Sequence, residues 1–223
     1  YVLCEESSIS EINFPGVTVF NPKWQQFDSN IYIPPVKRSS TDLAWLFYTS
    51  GTTGRPKGVM ITHGMIKTMA LSYFADVDQV HPSDTTLYAA PMSHGAGLYS
   101  IMHVLAGARH AIPVSGGFDE EEIFGLAVTL QNVHMFAAPT MVKRLTTFSR
   151  KNGYDGDGIR TIVYAGGPMY LSDIIEAVEQ FGSLFIQVYG QGECPMGITV
   201  LPRFEVSDRD SEKWKKRLQS VGY

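Results

Sequence analysis

From residue 42 onward, short apolar and β-branched runs alternate with stretches whose apolar positions recur three and four apart. These two periods distinguish strand from helix. Residues 43–49 read as a strand. After a glycine-rich stretch, Met65, Ile66, Met69, Ala70, Tyr73 and Phe74 mark one face of a helix. Residues 86–90 then read as strand, 97–106 as helix and 110–114 as strand. Asp119 and Glu122 have the spacing of a capping box, with Ile123, Phe124, Ala127 and Leu130 as the apolar stripe behind them. Residues 133–137 read as strand, Met141, Val142, Leu145 and Phe148 as a helical stripe, and 160–164 as strand. Ser172 is placed to cap a helix carrying Ile174, Ile175, Val178 and Phe181, and Gly182 stands where a left-handed residue closes it. Residues 185–189 form the next strand.

Strands joined by single helices pair in parallel with right-handed crossovers. The expected fold is therefore α/β, a layered and mostly parallel sheet with helices on both faces. Ligands of such sheets sit beyond the carboxyl ends of the strands, where the loops after Thr49, Ala90, Ala137, Tyr164 and Tyr189 gather. Residues 1–40 hold Pro15, Pro22, Pro34 and Pro35 with little periodicity and read as an irregular incoming segment. Residues 41–202 form the α/β core, and 203–223 a charged tail in which 207–219 has the composition of a solvated helix.

Charge removes some partners. Eighteen Lys and Arg stand against twenty-two Asp and Glu, a net charge of −4, with no long basic block. Nucleic acid is thereby excluded as the main partner. The most apolar helical stretch, 97–108, is too short for a membrane span and contains His103. Cys4 and Cys194 lie far apart and match neither a zinc spacing nor a disulfide framework, which suits a reducing compartment, the cytoplasm. The first residues show no signal peptide.

The segment Tyr48-Thr49-Ser50-Gly51-Thr52-Thr53-Gly54-Arg55-Pro56-Lys57-Gly58 carries the strongest chemistry, lying between the first strand and the helix read after it. Its glycines let the backbone approach an anion, its hydroxyls donate to phosphate oxygens and Lys57 adds a positive charge. A polar surface turn is the bland alternative. The nucleoside-triphosphate P-loop is the sharper competitor, since Gly51 and Lys57 have its outer spacing. It fails where Pro56 replaces the second glycine and Gly58 replaces the Ser or Thr that reaches magnesium.

Residues 48–58, continuing through Val59-Met60-Ile61-Thr62-His63, resemble the signature loop of the adenylate-forming (AMP-binding) superfamily of acyl-CoA synthetases, peptide-synthetase adenylation domains and luciferases. Three further segments follow in the family's order: Pro91-Met92-Ser93-His94-Gly95-Ala96-Gly97-Leu98, Ala165-Gly166-Gly167-Pro168, and Tyr189-Gly190-Gln191-Gly192-Glu193. The resemblance covers residues 42–202 and is nearest to an acyl-CoA synthetase, a fatty-acid–CoA ligase.

The resemblance implies the roles. Thr49, Ser50, Gly51, Thr52, Thr53, Gly54 and Lys57 would embrace the phosphates that leave as pyrophosphate. His94 would line the acyl site near the reacting carboxylate, or alternatively satisfy a helix terminus. Ala96 and Gly97 would leave room for the acyl tail, or simply permit tight packing. Gly166, Gly167 and Pro168 would shape the turn under adenine. Tyr189, with Gly190 and Gln191, would lie against the base, and Glu193 would bind magnesium. Lys57, His94 and Glu193 are the residues expected in the chemistry. Gly192 departs from the family's Thr and removes a hydroxyl beside Glu193.

The implied reaction is ATP-dependent activation of a carboxylic acid to acyl-AMP, followed by transfer to coenzyme A, with ATP, Mg2+ and coenzyme A as cofactor and co-substrates. The apolar stretch 94–105, lacking an acid to hold an amino group, leans towards a fatty or aromatic acid. The alternatives are an adenylation domain that delivers to a carrier protein, and a non-catalytic nucleotide-binding fragment. The family's ribose-binding Asp and catalytic lid have no counterpart in these residues, so the chain is expected to be the middle of a longer enzyme, inactive alone and prone to self-association.

Overall fold

The computed structural model describes residues 34–49 and 55–223, and β1 (Val2–Leu3) and β2 (Val19–Phe20) as backbone; the side chains of Pro195 and Met196 lie outside the description. The chain divides into two compact units, Tyr1–Arg38 and Ser39–Tyr223. In the first, β1 and β2 pair in parallel, Val2 opposite Val19.

The second unit opens with β3 (Leu43–Thr49) and β4 (Lys57–Thr62), an antiparallel ribbon in which Thr49 pairs with Lys57. Trp45, Phe47 and Thr49 turn to the half-buried face of β3, while Leu46 and Tyr48 remain exposed, the alternation of a strand with one covered face. Helix α1 (His63–Ser72) is capped by Thr62, whose hydroxyl accepts from the Met65 N–H. A five-residue π-helical turn, Tyr73–Val77, follows. Then come β5 (Thr85–Leu87), the short helices α2 (Gly95–Leu98) and α3 (Ser100–Ala106), β6 (Arg109–Ala111), α4 (Glu120–Leu130), β7 (Val133–Ala137), α5 (Pro139–Asn152), β8 (Ile159–Tyr164), α6 (Leu171–Phe181), β9 (Phe185–Gln191), β10 (Cys194–Leu201), α7 (Arg203–Ser207) and α8 (Trp214–Leu218).

Six strands form the main sheet in the order β10-β9-β8-β7-β5-β6. Strands β5 to β9 are parallel, and β10 is antiparallel to β9. Successive side chains feed opposite faces. Ile162 and Tyr164 join Phe124, Leu145 and Ile174 of α4–α6 in one core, and Val163 joins Met69, Tyr73 and Met102 in a second core on the other face. The sheet is mixed, mostly parallel and covered by helices on both faces, as expected. No helix among the described residues is long and apolar enough to cross a membrane.

Several local expectations are corrected. The first strand belongs to the β3–β4 ribbon rather than the parallel sheet, and a strand, not a helix, follows the glycine-rich loop. The helix expected at 97–106 is two pieces meeting at Tyr99. Asp119 Oδ1 accepts from the Glu122 N–H, but Glu122 reaches the N–H groups of Val114 and Ser115, so the capping box is only half closed. Ser172 lies inside α6, whose N-cap is Tyr170. Gly182 takes a positive φ, 72°, but with ψ −148° it is not the left-handed helical cap expected. The tail is not a solvated helix: Val206 and Leu218 are buried in the first core, because they are the apolar positions of two short helices folded back onto β9 and α6.

At the amino ends of the parallel strands the interior is charged. Asp84 and His134 are buried, and Arg160 binds the Asp84 carboxylate. His134 Nε2 lies 3.1 Å from Asp84 Oδ2, out of line for a hydrogen bond. Asp78 accepts from Thr161 and Arg203 at 2.6 and 2.8 Å.

Candidate active site

Loops converge at the opposite end of the sheet. Beyond β8, Gly166 turns the chain at φ 84°, a conformation without the Cβ penalty only for glycine. Strand β9 carries Tyr189, Gly190 and Gln191 outward before Gly192 and Glu193 turn into β10. After β5 the chain passes Ala90 and Pro91 to His94, the N-cap residue of α2. Between them is a cavity of about 430 Å³, walled by Phe47, His94, Tyr99, Phe136, Met141 and Gly166 among others.

His94 is exposed, and its Nδ1 lies 2.9 Å from Ser93 Oγ; Nε2 has no partner among the described residues. Ala96 lines the cavity, but Gly97 does not. A Cβ at Gly97 would meet the Met92 carbonyl oxygen at 2.0 Å, so this glycine serves the turn. Gly190 and Gln191 line the cavity, whereas Tyr189, 42% exposed, stands opposite Thr199 outside it. Gly167 and Pro168 are exposed beyond Gly166.

Thr49 and Lys57 face each other at the open end of the β3–β4 ribbon. Ser50, Gly51, Thr52, Thr53 and Gly54 lie outside the described residues. Lys57 is exposed, with no ion pair among the described residues. Thr49 reaches the cavity rim by touching Gly192. Glu193 is exposed and lines a second cavity, about 700 Å³, with Met65, Met69, Tyr73 and Cys194. The fold thus brings His94, Gly166, Gly190 and Gln191 to one cavity and Thr49 to its edge. Glu193 sits on the other side of the β9–β10 turn.

Among the described residues no three His, Cys, Asp or Glu side chains group to hold a metal. Magnesium takes one or two carboxylates together with phosphate oxygens and water. An exposed Glu193, next to Gly192 and so close to the end of the β3–β4 ribbon, offers one carboxylate of that donor set. Tyr99 contributes differently: burial raises its pKa, so the phenol stays neutral and acts as a wall.

Among the wall residues that the sequence reading did not assign to a site are Phe47, Tyr99, Phe136 and Met141. Phe47 and Phe136 occupy strand positions whose alternation could have pointed them to the covered face. Met141 is fixed by the Ala138 N–H, which donates to its Sδ at 3.3 Å across the first turn of α5; its spacing marks it only as part of a helical stripe.

Residues 6–223 match the model of a family described as AMP-binding enzyme. Over 170 residues the chain is 29% identical to a feruloyl-CoA synthase from an Amycolatopsis species, covering 75% of this chain and 34% of that protein. It is 31% identical over 178 residues to the medium/long-chain-fatty-acid–CoA ligase FadD8 of Mycobacterium tuberculosis, covering 79% of this chain and 29% of that one. The crystal structure of ATP-bound MatB from Rhodopseudomonas palustris superposes with a TM-score of 0.66 at 27% identity, covering 77% of this chain and 33% of that one. The chain spans about a third of the length of the curated relatives it matches.

Proposed function

The chain belongs to the AMP-binding enzyme family, and from that premise we propose that the protein activates a carboxylic acid with ATP and passes the acyl group to coenzyme A. The carboxylate oxygen attacks the α-phosphorus of ATP, the bond to the bridging oxygen breaks, and pyrophosphate leaves. The thiol of coenzyme A then displaces AMP from the acyl-adenylate to give the thioester.

The residues divide that work by their chemistry. Thr49 to Gly54 and Lys57 hold the departing phosphates, where charge develops and preformed donors lower the barrier most. His94 orients the acid at the cavity mouth. Gly166, Gly167 and Pro168, with Tyr189, Gly190 and Gln191, accommodate the adenylate, Tyr189 offering an aromatic face to the base. Glu193 would hold magnesium, which when bound neutralises phosphate charge.

One observation carries the reading: the end of the phosphate ribbon, through Thr49, abuts Gly192 at the rim of a cavity that also holds His94. A phosphate site and an acid site thereby share one wall. The relatives named above act on feruloyl and fatty acyl groups, consistent with a fatty or aromatic acid. Delivery to a carrier protein is the less favoured variant, because the cavity has no carboxylate wall to hold the ammonium of an amino acid among the described residues. We place the activity in the cytoplasm, the setting suited to the two separated cysteines. ATP–pyrophosphate exchange by the full-length protein over a panel of carboxylic acids tests the function. Exchange that depends on one class of acid is expected, and no exchange with any acid would overturn it.

A further inference from the structure

Gly192 occupies a tight place. A Cβ built there would lie 2.4 Å from Thr49 Cγ2 and 3.1 Å from Phe47 Cδ1, and real Cβ contacts essentially never fall below 3.0 Å. Thr49 and Phe47 are two residues apart on β3 and therefore share a face. Thr49 is β-branched and stiff at χ1, so rotating it away is not a free escape. The strand itself would have to move. The β3–β4 ribbon is hydrogen-bonded only within itself among the described strands, which makes an outward shift of the whole hairpin the cheapest relief.

Such a shift would take a cavity wall with it. Phe47 is half-buried, lines the 430 Å³ cavity and packs edge-to-face on Trp45, with ring centroids 5.6 Å apart. Tyr99 and Phe136, ring centroids 5.4 Å apart, stand in the same wall set. Aromatic faces of this kind favour a planar ring over a flexible chain, since ring pairs gain more than area burial alone. No Asp, Glu, Lys or Arg lines this cavity among the described residues. Its volume lies toward the small end of ligand pockets, which run roughly 300–1,000 Å³.

We propose that Phe47, admitted to the cavity by Gly192, determines acid specificity and selects a compact aromatic carboxylic acid over a long saturated one. The proposal rests on the acid-activating function and adds the substrate class. Gly192 acts as a positioning residue: its missing side chain lets the phosphate ribbon close until Phe47 becomes a wall.

The test is ATP–pyrophosphate exchange by the full-length protein with a planar aromatic acid and a medium-length saturated straight-chain acid. Wild type, Phe47→Ala, Phe47→Leu and Gly192→Ala are compared. Wild type is expected to favour the aromatic acid by about tenfold or more in kcat/KM, the scale on which apolar pockets discriminate. Phe47→Ala and Gly192→Ala should each erase about tenfold of that ratio through the KM for the acid; in Phe47→Ala the KM for ATP stays within about twofold, whereas Gly192→Ala, which moves Thr49 and Lys57 with the hairpin, should also raise it. Phe47→Leu, which fills part of the space, should fall between. A ratio unmoved in Phe47→Ala, or a uniform loss with both acids, overturns the proposal, and the two Phe47 variants decide it alone if Gly192→Ala does not fold. Wild-type preference for the straight-chain acid overturns the substrate class while leaving acid activation intact. Exchange with neither these nor any other acid sinks the function, and the specificity with it.

Discussion

At the carboxyl ends of the parallel strands the chain turns on Gly166 and Gly192 and leaves His94, Lys57 and Glu193 exposed, whereas at the amino ends it buries Asp84 and His134 against Arg160. Both ends are polar, yet the polarity serves different purposes. Groups at the glycine-rich end remain available to a ligand, so their removal should alter chemistry more than stability. Asp84, 1% exposed, already has its partners in Arg160 and the His81 N–H, so its removal leaves charge uncompensated inside the protein. The difference teaches where to look for each kind of failure: loops beyond an α/β sheet carry function, and buried ion pairs beneath it hold the layers in register.

The sharpest way to break the comparison is Asp84→Asn. Stripping one charge from the buried cluster should cost about 3–5 kcal/mol, read as a lower midpoint in urea unfolding. Nucleotide affinity of the molecules that remain folded should be unchanged. A stability loss below about 1 kcal/mol would place this cluster among ordinary surface pairs.

At the other end, Lys57→Ala in the full-length protein should lower ATP-dependent exchange by about ten- to a hundredfold, the scale of a lost charge-assisted phosphate contact. Its unfolding midpoint should not move. Unchanged exchange would remove the β4 end of the ribbon from the mechanism. Glu193→Gln should be milder, a fall of about tenfold in turnover with a smaller change in ATP affinity, because neutralising the leaving group matters most in the transition state. Equal turnover with and without the carboxylate would mean magnesium is held elsewhere.

The smallest effect tests the buried end by pH. Burial, reinforced by the neighbouring His103, holds the His134 imidazole down to about 4 from an ordinary 6.5. Burial also lowers His103, whose Nδ1 lies 2.7 Å from the Tyr99 carbonyl. At His134 the unfolded chain therefore takes up a proton as pH falls below 6.5, while the folded chain does not until near 4. Stability falls with pH across that window, by about 1 kcal/mol for His134 over the first unit below the ordinary value, and His103 acts in the same direction. His134→Gln should flatten its share of the slope, measured by urea unfolding at a series of pH values. An unchanged slope would show that His134 titrates normally.

How much was legible follows from how local each signal is. Strands β7, β8 and β9 and helices α4, α5 and α6 could be read directly, since their apolar periods are long and flanked by Asp119, Pro139 and Gly182. The glycine-rich loop stood out by its composition, whereas His94 was singled out only through the resemblance of residues 91–98 to a family segment. Strands β4 and β10 were missed: 57–62 was absorbed into the loop motif, and 194–201 begins in a turn and carries Pro195 and Gly197. The tail was misjudged because Val206 and Leu218 are isolated among charges, and only contact with the core makes them interior.

By itself the sequence determined the α/β class, most of its central strands and helices, and the glycine- and hydroxyl-rich composition of the segment before Lys57, because period, caps and glycine spacing act over neighbouring residues. Only the tertiary structure decided that β3 leaves the sheet to form a ribbon, that Phe47 and Phe136 wall the same cavity, and that Gly192 is forced by Thr49 rather than merely tolerated. It also decided that Asp84, His134 and Arg160 meet, although Asp84 and Arg160 lie 76 residues apart. The physical reason is the same in each case: strand pairing and close packing join residues distant along the chain, and no local pattern records which neighbours the folded chain will supply.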